Sequence, residues 1–590
     1  MATKDPHSYT DTSQGRVAKV ELDLAVDFEN RQLKGSATLT FAAKVGGPLD
    51  LDSRALTIDG VKDDRGAAVA FESGTPDPVL GTRLRLQLAA PTTKVTVHYA
   101  TSPSASALQW LEPQHTAGGK APYLFSQCQP HHARSLLPLQ DSPMVRFAYQ
   151  ARLTVPAGLV AVMSAAPGKK EAGGSDQTVA YRFDMPQPIP GYLLALAVGN
   201  IASQDLGPRS RVYAEPETLG AAAREFAGVN EMLLAAEKLF GPYRWERYDF
   251  LVMPPAFPYG GMENPRLTFL TPTLIAGDKS LVNVLAHELA HSWTGNLVTN
   301  ATMNDFWLNE GFTVWAERRI HEALQGEEAL ALAAAIGRDS LNADLERFGM
   351  TSPFTKLKTD LAGIDPDDVY SQVPYEKGFL FVALLEATVG RKKIDAFVRA
   401  YTDRFAFTSI TTEEFLTFMD EALPGVAQKI GARDWVYEPG IPANAPAFSS
   451  KRLEELQALA AAWATGARPD PKAAKQWSVD EWLVYLGALP KKVGEDDCRW
   501  LDQTFHFNDS GNAEILCKWL VMAARANYTP AFAKLAAFLG HVGRMKFLKP
   551  IYKALAEGQQ TRALAKEIFA ANKDRYHPIA RGGLEKQLSG

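Results

Sequence analysis

Val20, Leu22, Leu24, Val26 and Phe28 alternate with Glu21, Asp23 and Asp27, a period of two that predicts a strand with one buried and one wet face. Similar short runs follow at 37–41, 83–88, 94–99, 147–155 and 180–183, separated by clusters of Gly, Pro, Asp and Ser. No long helical pattern interrupts them. Residues 1–203 are therefore predicted to form an N-terminal all-β domain of sandwich or curved-sheet type. After residue 204 the character changes. Segment 221–240 reads as helix and 249–253 as strand, and helices then run to about residue 430. Residues 204–448 make a second predicted domain, closed by the extended, proline-rich linker that begins Glu438-Pro439-Gly440. Beyond it, helical patterns at 453–464, 478–489, 513–524, 530–539, 547–557 and 563–571 predict a C-terminal α-helical domain over 449–590. Stacked helix pairs of solenoid type are its simplest architecture.

The length agrees with this division, since 590 residues exceed what one core serves. A chain that is 46% hydrophobic and 22% charged, with net charge −5, is an ordinary globular composition. No basic block or basic–aromatic array points to nucleic acid. The apolar run at 192–198 is far shorter than a membrane span. Met1-Ala2-Thr3-Lys4-Asp5 contains no apolar core, so no signal peptide is expected. Cys128, Cys498 and Cys517 are odd in number and far apart, which favours a reducing, cytoplasmic compartment over a disulfide framework. The chain is expected to be a monomer or a weak homo-oligomer.

The chemistry centres on His287-Glu288-Leu289-Ala290-His291, with Glu310 following His291 after eighteen intervening residues. Two histidines four apart on a helix point within about 40° of each other, so both imidazoles reach one point. A carboxylate completes a three-ligand zinc site and leaves a fourth position open. Glu288 suits the general base that takes a proton from the activated water. The competing reading is a buried apolar helix that happens to carry two histidines. Leu281, Val284, Leu285 and Leu289 supply its apolar positions, Ser280 a plausible N-cap and Gly295 a plausible stop. A second helix, starting after Asn304 or Asp305, would carry Glu310 and, on the same face, Glu317, placed to orient a histidine.

Other segments leave their alternatives open. In Phe125–Arg134 the neighbouring His131 and His132 would diverge on a strand and make poor metal ligands, so structural hydrogen bonding is preferred. Gln127 and Gln129 share a face and are better placed to contact a ligand. In Tyr259-Gly260-Gly261-Met262-Glu263 two glycines let backbone approach a ligand, but a surface turn with an incidental acid reads equally well. Tyr370 and Tyr375 are oxyanion donors or simple loop packing. Arg544 and Lys546, in a break at 543–546, are solvated charges or the seat of an anionic substrate end.

HELAH with the distant NEG, Glu317 and GGMEN resembles the zinc aminopeptidases of the gluzincin class. FSQCQ, NPRLTFLTPTL, HSWTGNLVTN, FWLNEGFTV, VPYEKGF and GRMKF are similar to the branch containing leukotriene A-4 hydrolase and aminopeptidase B. The motifs run from about residue 123 to 550. The resemblance implies a β domain, a thermolysin-like catalytic domain and a helical, armadillo-like domain. It implies one zinc per chain, held by His287, His291 and Glu310, with Glu288 as base and Tyr375 as oxyanion donor. It further implies that Glu263, assisted by Gln129, binds the free amine of a short peptide. Tyr259, Asp367 and Tyr370 would line the pocket, and Arg544 and Lys546 would receive the carboxylate of a peptide or a fatty acid. The expected activity is removal of N-terminal residues. Hydrolysis of a leukotriene-type epoxide would be a second activity; a non-catalytic binding protein and an endopeptidase are the competing readings.

Overall fold

The computed structural model describes residues 4–281, 283–491 and 493–589. Met1–Thr3, the first residues read for a leader, lie outside the described residues. The alternating pattern becomes the strand Val17–Asp27, which buries Val20, Leu22 and Leu24 and exposes Asp23. It pairs antiparallel with Gln32–Ser53 and parallel with Arg146–Pro156, inside an eight-stranded sheet. Segments 83–88 and 94–99 are one strand, Thr82–Ala100, rather than two. Its register against Gln32–Ser53 shifts between Thr40 and Gly47, so a bulge bends the ladder without ending it. A four-stranded sheet carries Tyr123–Ser126 next to Leu196–Gly199.

Ala202–Gly207 and Ser210–Ala214 open a five-stranded sheet that continues through Phe250–Val252 and Thr268–Leu270 to the short edge strand Gly261–Met262. Segment 221–240 is two helices, Pro216–Glu225 and Val229–Phe240, parted near Gly228. The histidine helix is Asn283–Ala290. Ser280 does not cap it: it lies three residues ahead, and its hydroxyl accepts from Asn512 Nδ2 at 3.1 Å. Gly295 does not stop it either, because the helix ends at Ala290 and turns follow. His291 stands just past the helix, yet its N–H still reaches the His287 carbonyl at 3.2 Å, which preserves the four-residue geometry.

In the C-terminal part, Lys451–Ala461, Val479–Ala488, Ala513–Arg525 and Met545–Glu557 each pack on the next. Besides the single turn Pro471–Ala474, two helices there have no counterpart in the sequence reading, Glu495–Phe505 and Pro578–Ser589. The second contains Gly582 and Gly583 and has poor intrinsic propensity; burial of Ala580 and Leu584, one turn apart, holds it against its neighbours. The β part and the part that follows it to about residue 448 share one hydrophobic core, and the C-terminal helices own another. Tyr259 and Val479 pack against both. The seam is also bonded through backbone: Gly543 N–H donates to Pro255 and Met545 N–H to Pro258, both at 2.8 Å. No described helix is long and apolar enough to cross a membrane.

Candidate active site

The histidine helix packs on the helix Trp307–Gln325, which brings Glu310 opposite His287 and His291. The two Nε2 atoms are 3.2 Å apart, and each is 3.4 Å from Glu310 Oε2. Tetrahedral zinc with ligand bonds near 2.0–2.1 Å has ligand–ligand edges of roughly 3.3 Å, so the triangle has the right size. The opposite ring nitrogens are tied back: His287 Nδ1 to Glu317 Oε2 at 3.0 Å, and His291 Nδ1 to the Thr294 carbonyl at 2.9 Å. Both partners only accept, so each histidine carries its proton on Nδ1 and turns the Nε2 lone pair to the common point. Glu310 Oε2 is buried without a hydrogen-bond donor, an arrangement that a cation at that point explains. The residues fit zinc.

Close approach elsewhere depends on small residues. Gly311, beside Glu310, meets Gly378, and a Cβ on Gly311 would stand 2.6 Å from the Gly378 Cα. That contact seats the Glu310 helix against the π-helix Val373–Lys377, an irregular turn in a stretch that reads as loop, and so carries Tyr375 to the metal ligands. The Tyr375 ring stacks on His287 with centroids 6.2 Å apart. Tyr370 donates to the Tyr375 oxygen at 3.2 Å, which leaves the Tyr375 proton free to point elsewhere. Burial holds Tyr375 well above the usual phenol range, so it stays a donor. On the other side, a Cβ on Gly261 would collide with the Glu288 carboxylate. The bare edge strand lets Glu288 turn inward, where burial pushes its carboxyl up to about 8.

Glu263 follows that edge strand. Its carboxylate, that of Glu288 and a ring nitrogen of His291 lie within 4.8 Å of one another. Asn296 Nδ2 holds the Glu263 backbone carbonyl at 2.7 Å, and Gln129 Nε2 reaches Oε1 at 3.4 Å. Among the described residues no lysine or arginine pairs with Glu263, and burial raises its carboxyl.

These groups open on a cavity of about 750 Å³ at the seam of the two cores. Gln129, Tyr259, Asp367, Tyr370, Arg544 and Lys546 reach it. Gln127 and Met262 do not: both are buried behind its wall, where Gln127 Nε2 donates to Met262 Sδ at 3.3 Å. This departs from their reading as ligand contacts: Gln127 lies one residue beyond the strand Tyr123–Ser126, and its amide is taken up by Met262. His131 and His132 likewise sit in a turn rather than a strand, and their rings stack 5.6 Å apart instead of diverging. Their ring nitrogens do make structural hydrogen bonds, His131 to the Val79 carbonyl and His132 to Ser106 and Asp367.

Arg544 is the residue before the helix Met545–Glu557 and Lys546 belongs to its first turn, so the expected break ends sooner. Neither cation is simply solvated. Glu514 Oε1 accepts from Lys546 Nζ at 2.8 Å and from Arg544 Nη1 at 3.3 Å. The pair plus Glu514 keeps one net positive charge facing the cavity, and Arg544 Nε is buried without a partner. Nothing in the chain pattern singles out Glu514 or Asn296; Asn296 lies within HSWTGNLVTN, which offered a motif but no role.

Comparison with known proteins follows the same division. Residues 6–193 match the model of the peptidase M1 N-terminal domain, 225–435 the peptidase family M1 domain, and 477–588 the leukotriene A4 hydrolase C-terminal domain. A leukotriene A-4 hydrolase of Xenopus laevis is 38% identical over 99% of this chain and 99% of its own length. A leucine aminopeptidase 2 of Yarrowia lipolytica is 39% identical over 99% of this chain and 93% of its own. The structure of yeast LTA4 hydrolase in complex with bestatin superposes with a TM-score of 0.93 at 34% identity, covering 100% of this chain and 98% of that one.

Proposed function

Because the chain belongs to peptidase family M1 and carries the C-terminal domain of leukotriene A4 hydrolases, we propose that it is a zinc aminopeptidase that removes the N-terminal residue from short peptides. The observation that carries this reading is Glu263. It is a buried carboxylate with no lysine or arginine partner, within 4.8 Å of His291 and Glu288. Such a group favours a cation, and a peptide's α-ammonium placed there sets its first carbonyl over the metal ligands. One residue is then removed at a time, and an endopeptidase is disfavoured.

His287, His291 and Glu310 hold one zinc, and Glu317 and Thr294 fix the two rings. Zinc, when bound, supplies the Lewis acid that acidifies water toward neutrality and polarises the scissile carbonyl. Glu288 takes the proton from the attacking water and returns it to the leaving amine. Tyr375, whose oxygen accepts from Tyr370, gives its own hydrogen bond to the carbonyl oxygen as that oxygen gains charge. Gln129 steadies Glu263. Asp367 faces the pocket as a partner for a basic N-terminal side chain, with Tyr259 and Tyr370 beside it. The buried free cysteines agree with a cytoplasmic enzyme. The proposed domain limits are 203/204, within the strand Ala202–Gly207 that opens the five-stranded sheet, and 448/449, just ahead of the helix Lys451–Ala461.

N-acetylation tests the reading. The acetyl group removes the charge that Glu263 would bind and leaves its carboxylate buried alone. A blocked tripeptide should be cleaved at least roughly 10²-fold more slowly than the free one, the equivalent of a lost charged hydrogen bond. Efficient cleavage of the blocked peptide would overturn it.

The Arg544–Lys546 pair gives a second expectation. With one net positive charge left beside Glu514, it suits the C-terminal carboxylate of a tripeptide. Aminoacyl amides lack that group. Arg544→Ala should cost roughly 10–100-fold in kcat/KM for tripeptides and little for amides; equal losses would refute the clamp. A lipid carboxylate would fit the same pair. With the leukotriene A-4 hydrolase of Xenopus laevis among its relatives, this favours fatty-acid epoxide hydrolysis as a second activity.

A further inference from the structure

We propose that His132, registered by a column of three histidines that begins in the N-terminal segment, is the positioning residue for Asp367 and so sets how well the enzyme accepts a cationic N-terminal residue. The inference rests on the reading of Asp367 as the pocket's carboxylate.

Asp367 sits on the short 3-10 turn Pro366–Val369 at the cavity wall. Its Oδ2 is 2.9 Å from His132 Nε2, and a carboxylate oxygen only accepts, so Nε2 carries the proton. The other nitrogen, Nδ1, is 2.9 Å from the Ser106 hydroxyl. With Oδ2 engaged, Oδ1 is the oxygen left for a ligand, and the carboxylate plane is fixed before one arrives. His132 is itself buried and stacked face to face on His131, with centroids 5.6 Å apart and planes 12° apart. His131 stacks in turn on His7, at 5.6 Å and 17°.

His7 closes the column onto the same loop. Its Nε2 lies 3.0 Å from both the Leu361 and the Ile364 carbonyl oxygens, a few residues before Pro366. Two carbonyls can share one donated proton, so His7 grips the approach to the turn while His132 grips the carboxylate at its end. The grip originates in the β part of the molecule. Ser8, Tyr9 and Thr10 all donate to the buried Asp52, which pins the irregular N-terminal segment in place. Asp367 thus hangs from the catalytic part but takes its orientation from the β part. A charged group held in its bound orientation binds better than one on a free loop, and a misplacement on the ångström scale is felt at roughly 10–100-fold.

The experiment compares kcat/KM for an arginyl and a leucyl amide of the same chromophore. The neutral leucyl side chain makes no use of Asp367. His132→Leu should lower the arginyl-to-leucyl ratio about tenfold, mainly through KM, with leucyl turnover unchanged. His132→Gln, whose side-chain amide can donate to the same oxygen, should recover most of the ratio. His7→Gln should lower it by a smaller factor, and serves if His132→Leu does not fold. Asp367→Asn separates the two readings: an unchanged ratio in that variant removes Asp367 as the cation's partner, and the inference with it. If Asp367→Asn collapses the ratio while the His132 and His7 variants leave it intact, the positioning role alone is overturned. Equal losses on both substrates, without rescue by His132→Gln, would reduce His132 to a packing residue and overturn it as well.

Discussion

Glu288→Gln should lower kcat by roughly 10²–10⁴ while leaving zinc content and the fold unchanged. The amide keeps the shape of the carboxyl but cannot accept a proton. The site is built to turn this one side chain inward, since the bare Gly261 stands where any Cβ would strike it. Burial, against the pull of the two histidines and with the Glu263 and Glu310 carboxylates on its side, pushes the Glu288 carboxyl up to about 8, so it is held largely protonated at neutral pH. His287 and His291 flank it with groups that pull the other way, and positive charge at the ligand point favours the ionised form that a base needs. Turnover of dipeptides and tripeptides, with zinc measured on the same samples by atomic absorption, checks the prediction. Near-normal turnover in a zinc-loaded variant would take Glu288 out of the mechanism.

Metal removal should abolish hydrolysis altogether, and one equivalent of zinc should restore it. His287, His291 and Glu310 form a triangle with edges of 3.2, 3.4 and 3.4 Å whose outer hydrogen bonds leave three lone pairs converging. Without a cation, Glu310 Oε2 is a buried acceptor that lacks a donor. Zinc should therefore also raise the thermal midpoint, because a ligand that binds only the folded state stabilises it by mass action. Glu310→Ala should keep the fold, since a shortened side chain leaves no unpaired oxygen, but lose most of the bound zinc and nearly all activity. Activity that survives exhaustive dialysis against a chelator, or zinc content in Glu310→Ala equal to that of the parent, would remove this ligand set.

The β region was legible where burial is one-sided. Val20, Leu22 and Leu24 alternate because one face of Val17–Asp27 is dry, and such a pattern survives without any knowledge of neighbours. It misled where one strand bends: the bulge in Thr82–Ala100 interrupts the period and imitates a strand boundary. Helix Pro578–Ser589 was hidden for the opposite reason. Its own sequence argues against helix, and only the packing of Ala580 and Leu584 decides for it. Tyr375 lay in a stretch that reads as loop because a π-turn has no periodic signature of its own.

By itself the sequence determined the local part of the site. His287 and His291 converge because a helix returns to one face every four residues, and Glu310 and Glu317 share a face for a similar reason. Such geometry is set by backbone within a turn or two, so spacing suffices to read it. Only the tertiary structure decided what crosses the seams. It set Glu263 beside His291 through an edge strand, and the Arg544 turn against residues 255–258 through two backbone bonds. It gave those cations Glu514 as a partner, and it joined Asp367 to His132 across 235 positions. No local period encodes these contacts, because they depend on how separate sheets and helices close over shared cores, where many weak apolar contacts fix one arrangement and polar groups then find their partners.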